Sequence, residues 1–398
     1  MGPHASTRCS THPGTGTRAR PSPARDSRAS GAALAASLVL VSLLLGGCTA
    51  GNTATSPVTS TPSSSSSASP ASSPSPSSST GPARTAEPQV STVVDRIETP
   101  WAVAFLPDGG ALVTQRNPAT VSLVRDGAVT EVGHIDAARP AGEGGLLGIA
   151  LSPTFRTDQR VFLFYTAAED NRVESFRYAD GRLTDGRVIL SGITKNTTHN
   201  GGRLAFGPDG FLYIGTGDAQ DRSAPQNRTA LNGKILRVTA EGQPAPGNPV
   251  PDSPVYSYGH RNVQGLAWDT AGRLWATEFG PTVDDEVNLI RAGGNYGWPE
   301  VTGAPHRSEY LDAAVVWPST ADSSPSGAAI VDGALWVGAL RGERLWQIPL
   351  DGDRAGEPVA HLQGRYGRMR DVERAPDGSL WVLTDNGTES AILRVTPS

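Results

Sequence analysis

The sequence predicts an all-β protein, a six-bladed β-propeller of four-stranded antiparallel blades. Three observations lead there: a turn followed by an apolar strand recurs six times, the recurrence is about fifty residues long, and helix-period patterns are scarce. The clear copies read Pro107-Asp108-Gly109-Gly110-Ala111-Leu112-Val113, Pro208-Asp209-Gly210-Phe211-Leu212-Tyr213-Ile214, Thr270-Ala271-Gly272-Arg273-Leu274-Trp275, Val331-Asp332-Gly333-Ala334-Leu335-Trp336-Val337 and Pro376-Asp377-Gly378-Ser379-Leu380-Trp381-Val382. Asp-Gly supplies the positive φ that a tight hairpin needs. A weaker copy, Ser152-Pro153-Thr154-Phe155 before Val161-Phe162-Leu163-Phe164-Tyr165, fills the one large gap. A β-sandwich also carries Asp-Gly hairpins, but six similar units of this length are unusual for one. Longer spacing between the third, fourth and fifth turns predicts loops that cover one mouth of the central channel.

The first quarter of the 398 residues is read separately. Arg8, Arg18, Arg20, Arg25 and Arg28 precede an apolar run from Ala32 to Leu45, too short to span a bilayer comfortably. The run ends in Leu45-Gly46-Gly47-Cys48, which is similar to a bacterial lipoprotein cleavage site, so residues 1–48 are expected to form a lipoprotein signal peptide with Cys48 lipidated. An ordinary signal peptide with a chance cysteine is the plainer alternative, and both readings predict export. Residues 49–89 are rich in Ser, Pro, Thr and Ala and hold almost no large apolar side chain to offset chain ordering; they are expected to be a disordered tether. The anticipated location is the extracytoplasmic face of a bacterial membrane, held by lipid alone. Cys9 and Cys48 are the only cysteines, so residues 90–398 have no disulfide to make.

Residues 90–398, the expected catalytic domain, are long enough for a large core. Setting the six Arg and two acids of residues 1–89 apart from the totals of 34 and 39 leaves 28 basic and 37 acidic residues, net −9. Such a domain is a poor partner for nucleic acid, and its arginines need local explanations.

Three stretches suggest what those arginines do: Tyr258-Gly259-His260-Arg261-Asn262-Val263-Gln264-Gly265, then Glu278-Phe279-Gly280-Pro281 leading to Asp284-Asp285-Glu286, then Gly293-Gly294-Asn295-Tyr296-Gly297-Trp298-Pro299. Together they offer a fixed cation, an amide, a Gly-Pro turn and an acidic cluster. Carbonyl and carboxylate oxygens suit Ca²⁺, while Arg and Asn supply donors for a polar, anionic cofactor. Further upstream, Thr198-His199-Asn200-Gly201-Gly202-Arg203-Leu204 places His199 at a strand entrance, where a histidine can serve as a general base. Gly215-Thr216-Gly217-Asp218 follows at an interval of nineteen residues.

In order and spacing these motifs resemble the soluble quinoprotein sugar dehydrogenases of the glucose/sorbosone dehydrogenase family, which carry pyrroloquinoline quinone (PQQ) on Ca²⁺ in a six-bladed propeller. The likeness runs from about Val90 to the C-terminus. It implies that an aldose is oxidised at its C1 hydroxyl to the lactone: His199 takes the hydroxyl proton, hydride passes to C5 of PQQ, and electrons leave to an external acceptor, a quinone or a cytochrome. Asp218 is then the residue that orients His199. Arg261 and Asn262 match the pair that contacts the quinone oxygens, with Arg261 stabilising the charge that develops there. Gly280 and Pro281 match a turn whose carbonyls hold the catalytic Ca²⁺, and Glu286 and Tyr296 match ligands of a structural one.

Arg341, Arg368 and Arg370 match basic residues that answer the cofactor's carboxylates, although position 341 is Lys in the glucose enzymes, and a guanidinium binds with different geometry. Glu143, in Gly142-Glu143-Gly144-Gly145, stands where the glucose enzymes carry Gln, which implies a different substrate preference. His306 stands where they carry a metal-binding Asp. His260 is expected to be structural, and Trp298 and Trp317 to be packing aromatics. Two other readings stay open: a non-catalytic propeller that serves as a binding module, and a calcium-dependent lactonase.

Overall fold

The computed structural model describes residues 86–397. Both the proposed signal peptide and nearly all of the proposed tether lie outside these residues. Among the described residues no helix is long and apolar enough to cross a membrane.

Six antiparallel sheets follow one another along the chain, five of four strands and one, the fifth, extended by a short additional strand. Each blade starts with an inner strand: Pro100–Phe105, Leu146–Leu151, Gly201–Phe206, Val263–Trp268, Pro325–Val331 and Met369–Arg374. Each of these packs on the next, and the last returns to the first, so the six close a ring around a central channel. The sixth blade takes its outermost strand, Gln89–Ile97, from the start of the domain, where it pairs antiparallel with Ser390–Thr396. That pairing ties the two ends of the domain together, and closure leaves the ring without a free blade edge at its seam.

The core lies between blades, not within them. Leu112, Phe162, Leu204 and Leu236 join the first three blades; Tyr213 and Ala276 the third and fourth; Trp275 and Leu335 the fourth and fifth; Trp336 and Val372 the fifth and sixth; Leu383 and Val113 the sixth and first. Sheets buried on both faces explain why strands such as Val161–Tyr165 read as continuous apolar runs.

All six repeated turns fall at the same place, between the first and second strands of a blade. Gly210 there has φ +79°, and the Asp209 carboxylate accepts from the Phe211 N–H, closing the turn on itself. The same carboxylate pairs with Arg237 on the blade's third strand at 2.8 Å, as Asp108 does with Arg125 and Asp377 with Arg394. In the second blade, the weak copy in sequence, a single helical turn Phe155–Asp158 replaces the Asp-Gly turn and ends on Gln159 at φ +55°.

The two loops foreseen from the long spacing are residues 219–233, between the second and third strands of the third blade, and residues 291–314, between the third and fourth strands of the fourth. They meet: Arg222 donates to the Pro299 carbonyl and Gln226 to that of Trp298. Lys234, fully buried, anchors the first loop by donating to the carbonyls of Ala224, Pro225 and Asn232 at 2.7–3.0 Å.

Candidate active site

A cleft of about 520 Å³ opens at the mouth opposite the Asp-Gly turns. The propeller builds it from two positions repeated in each blade. Residues just before an inner strand contribute Thr99, Glu143, His199, Arg261, Ser324 and Arg368; residues just after a second strand contribute Arg116, Gly280, Pro281, Arg341 and Asp385. At these strand ends the backbone is held by bonds such as Arg116 N–H to the Thr99 carbonyl and Asp385 N–H to that of Arg368, while the side chains line the cleft.

His199 and Asp218 meet across this pattern, one before the third blade's inner strand and the other just after its second. The His199 Nδ1 lies 2.7 Å from Asp218 Oδ1. An ionised carboxylate only accepts, so Nδ1 carries the hydrogen and Nε2 is left as the basic nitrogen. His199 lines the cleft with its side chain 16% exposed, while Asp218 is buried behind it. Burial alone would raise the Asp218 carboxyl, but donors from His199, the Gln220 N–H and the Trp298 indole outweigh it and hold it below the usual carboxylate range. The His199 backbone sits in the left-handed region at φ +57°, and its N–H donates to Glu143 Oε2 at 2.8 Å. Glu143 therefore lines the cleft and also fixes the backbone that presents the imidazole.

Arg261 is clamped at both ends. Its N–H donates to Glu278 Oε1, and its Nη1 donates to the Phe279 carbonyl at 3.1 Å. Glu278 also holds His260, whose ring bridges Glu278 and Ser257 and stacks on Tyr296, the structural part expected of it. Asn262 does not reach the cleft surface; fully buried, it accepts the Gly201 N–H at 2.9 Å, and so braces the strand that follows His199.

Gly280 and Pro281 line the cleft together with Asp285, which accepts the N–H groups of Gly280 and Ser324. Burial pushes the Asp285 carboxyl up to about 6, against these donors and the charges of Arg261 and Arg341. Glu286 and Tyr296 are brought together elsewhere, around a separate cavity of about 10 Å³ shared with Glu278 and Trp298, room for roughly one water. Burial and the neighbouring Glu278 push Glu286 up to about 8, although the Gly303 N–H and Asn288 donate to its carboxylate. Among the described residues no three His, Cys, Asp or Glu side chains converge as a metal cage. His306 pairs with Asp312 at the surface, 2.7 Å apart.

Arg341, Arg368 and Arg370 all line the cleft. Arg341 donates to Thr320 Oγ1 at 3.2 Å, and Arg370 to Asp385 at 2.6 Å and Gln264 at 2.8 Å. Arg368 has no carboxylate partner among the described residues. With Arg116, which shares Asp385 with Arg370, five guanidinium groups face three carboxylates, Glu143, Asp285 and Asp385. A cationic cleft in an acidic domain is a place for an anion. Two of those guanidiniums, at Arg261 and Arg370, and the amide of Asn262 keep a buried N–H donor with no acceptor among the described residues. The guanidinium groups that line the cleft and the carbonyls of the Gly280-Pro281 turn match in kind a polycarboxylate quinone and a hard cation.

Arg116 and Asp385 are not singled out by the sequence, and Trp298 is read there as a packing aromatic alone. The first two occupy the same blade position as Asp218, Gly280 and Arg341, so aligning the six repeats against one another would have found them. Trp317 packs between blades against Trp346, as expected. Trp298 does not simply pack: its Nε1 donates to Asp218 Oδ2 at 2.8 Å.

Fold and site together define a propeller that presents a carboxylate-oriented histidine to a cationic cleft. The sequence profile of the Glucose / Sorbosone dehydrogenase family matches residues 97–394, and the chain belongs to that family. It is 32% identical to aldose sugar dehydrogenase YliI of Escherichia coli over 353 residues, 79% of this chain and 94% of that one. Among solved structures, the PQQ-bound form of an aldose sugar dehydrogenase from Streptomyces coelicolor is 46% identical, with a TM-score of 0.75, covering 78% of this chain and 98% of that one. The soluble aldose sugar dehydrogenase of Escherichia coli in its apo form is 30% identical, with a TM-score of 0.73, covering 78% and 100%.

Proposed function

We propose that this chain is an aldose sugar dehydrogenase that oxidises the C1 hydroxyl of a sugar to the lactone with PQQ and Ca²⁺. The observation that carries the reading is the His199–Asp218 pair on the wall of a cleft with five guanidinium groups. The 46% identity to a PQQ-bound aldose sugar dehydrogenase supports the cofactor. PQQ held on Ca²⁺ would supply the two-electron acceptor that no protein side chain provides.

The chain's own residues do the rest. His199 Nε2 accepts the proton of the C1 hydroxyl, and Asp218 stabilises the imidazolium that results. Arg368, Arg370 and Arg341 would hold the cofactor's carboxylates and Arg261 would stabilise charge on its carbonyl oxygens, while Asn262 supports that wall from behind. The carbonyls of Gly280 and Pro281 would take the catalytic Ca²⁺; Glu286 and the Tyr296 carbonyl would take a structural one. Glu143 accepts from sugar hydroxyls beside the base. Export, the lipid on Cys48 and the tether of residues 49–89 would hold the enzyme on the extracytoplasmic face of a membrane, close to an external electron acceptor.

The test is reconstitution: purified protein with PQQ and Ca²⁺, an aldose panel, and reduction of an artificial dye. Reduction that needs quinone, metal and sugar together is expected. Absence of any PQQ uptake by calorimetry, with Ca²⁺ in excess, would overturn the reading.

A further inference from the structure

We propose that Trp298 is a positioning residue for the reaction, holding the Asp218 carboxylate in register with His199 on one side and with Arg261 on the other. The proposal rests on the reading of His199 as the base, and deepens it.

Asp218 uses its two oxygens differently. Oδ1 accepts from His199 Nδ1 and from the Gln220 N–H, both at 2.7 Å, whereas among the described residues the one side-chain donor to Oδ2 is the Trp298 indole, at 2.8 Å in a fully buried contact. A carboxylate held through one oxygen can still swing about its own bond; a donor on the second oxygen stops the swing and so fixes the plane of the imidazole. The indole N–H suits the task because it only donates and cannot compete for the proton that His199 handles.

Trp298 is itself fixed from several directions. Its N–H donates to the Gly259 carbonyl, its carbonyl accepts from Gln226, and the guanidinium groups of Arg222 and Arg261 lie over its ring at 4.5 and 5.4 Å. The cation of the cleft and the carboxylate behind the base therefore meet on a single indole. The chain spends an unusual path on it. Leaving the third strand of the fourth blade at Ile290, on the side of the Asp-Gly turns, residues 291–298 run back along the third blade, with a parallel bridge from Asn295 to Tyr258, before reaching the opposite mouth.

The charged and titratable groups around the pair are Glu143, on the His199 N–H; Arg261, in the field of Asp218; Asp221, on the same loop as Gln220; and Arg222, over the indole. Trp298→Phe removes none of them. It keeps an aromatic ring for the two arginines while removing the N–H together with part of the buried indole. A carboxylate that loses a donor becomes more basic and holds its partner's proton more tightly, so His199 titrates higher.

Two measurements test this. In the purified chain without cofactor, followed by NMR with labelled histidine, Trp298→Phe should raise the His199 midpoint by about half a unit to one unit. In the enzyme loaded with PQQ and Ca²⁺, kcat should fall about tenfold with KM nearly unchanged, and the acid limb of the rate profile should move to higher pH in step with the titration. In an Asp218→Asn background the same substitution should change neither the midpoint nor the limb further, which separates the route through the carboxylate from a loss of packing. An unmoved His199 titration with unmoved kcat overturns the proposal, as does a shift that persists without the carboxylate. Because the titration needs neither sugar nor quinone, its outcome stands apart from the fate of the dehydrogenase reading.

Discussion

The two mouths of the propeller use glycine for opposite reasons. At the turn mouth, Gly210 is needed for its backbone: φ is +79°, and an added Cβ would meet nothing within 4 Å. At the cleft mouth, Gly217 has no positive φ, but a Cβ there would overlap the carbonyl oxygen of His199 and crowd the Asn262 amide. Gly280 is similar, with the carbonyls of Val283 and Asp284 pressed against it. One mouth is made of local turns that close on their own aspartates. The other is made of strand ends and loops packed backbone to backbone, within a blade at Gly217 and Gly280 and between blades at Gly142, where the carbonyl of Thr197 leaves a methyl group no room. The first arrangement sets the hairpin; the second sets distances between side chains that chemistry will use.

The largest effect should come from the cleft side. His199→Ala removes the only basic nitrogen that Asp218 orients, and turnover in the reconstituted enzyme should fall by about 10² to 10⁴ while the fold, followed by circular dichroism, is retained. Unchanged turnover would remove His199 from the mechanism and leave the cleft as a binding site.

Next in size is Gly217→Ala, which sharpens the comparison because it touches no reacting group. The added carbon must displace the His199 carbonyl or the Gly217 strand end, and a shift approaching 1 Å in a catalytic group costs about 10² in rate. The expected signature is a loss in kcat with cofactor affinity largely kept. Arg368→Ala should do the reverse: with no carboxylate of its own among the described residues, this guanidinium is free to answer an anion, and its removal should weaken PQQ binding about 10- to 100-fold by titration.

The turn mouth was legible in the sequence and the cleft mouth only partly so, for a physical reason. A positive φ in a tight hairpin favours a glycine at that very residue, so a glycine turn before an apolar strand announces itself locally in five blades, four times as Asp-Gly and once as Ala271-Gly272, and only the second blade's helical turn lacks it. His199, Asp218, Arg261 and the three downstream arginines were found because family motifs surround them, and the structure brings His199, Arg261, Arg341, Arg368 and Arg370 to one cleft. The bond made by Trp298 was missed because its acceptor is a carboxylate 80 residues away, reached by a detour that local pattern does not encode. Asn262 was placed by motif in contact with the cofactor, yet its amide oxygen is spent on Gly201, a use that only the register between two blades reveals.

The smallest effect tests the other half of the comparison. At Gly210 an alanine would find open space, so the whole cost of Gly210→Ala is the strain of a Cβ in the left-handed region, about 1–2 kcal/mol. The inter-blade core that carries the domain's cooperativity is untouched, and the His199–Asp218 contact lies at the other end of the strand that Gly210 introduces. Thermal unfolding should move down by a few degrees, with kcat, KM and PQQ affinity equal to those of the parent. A matched loss of activity would mean that the turn mouth is mechanically coupled to the cleft through the Leu212–Thr216 strand, and that the division of labour between the two mouths is not the one their glycines imply.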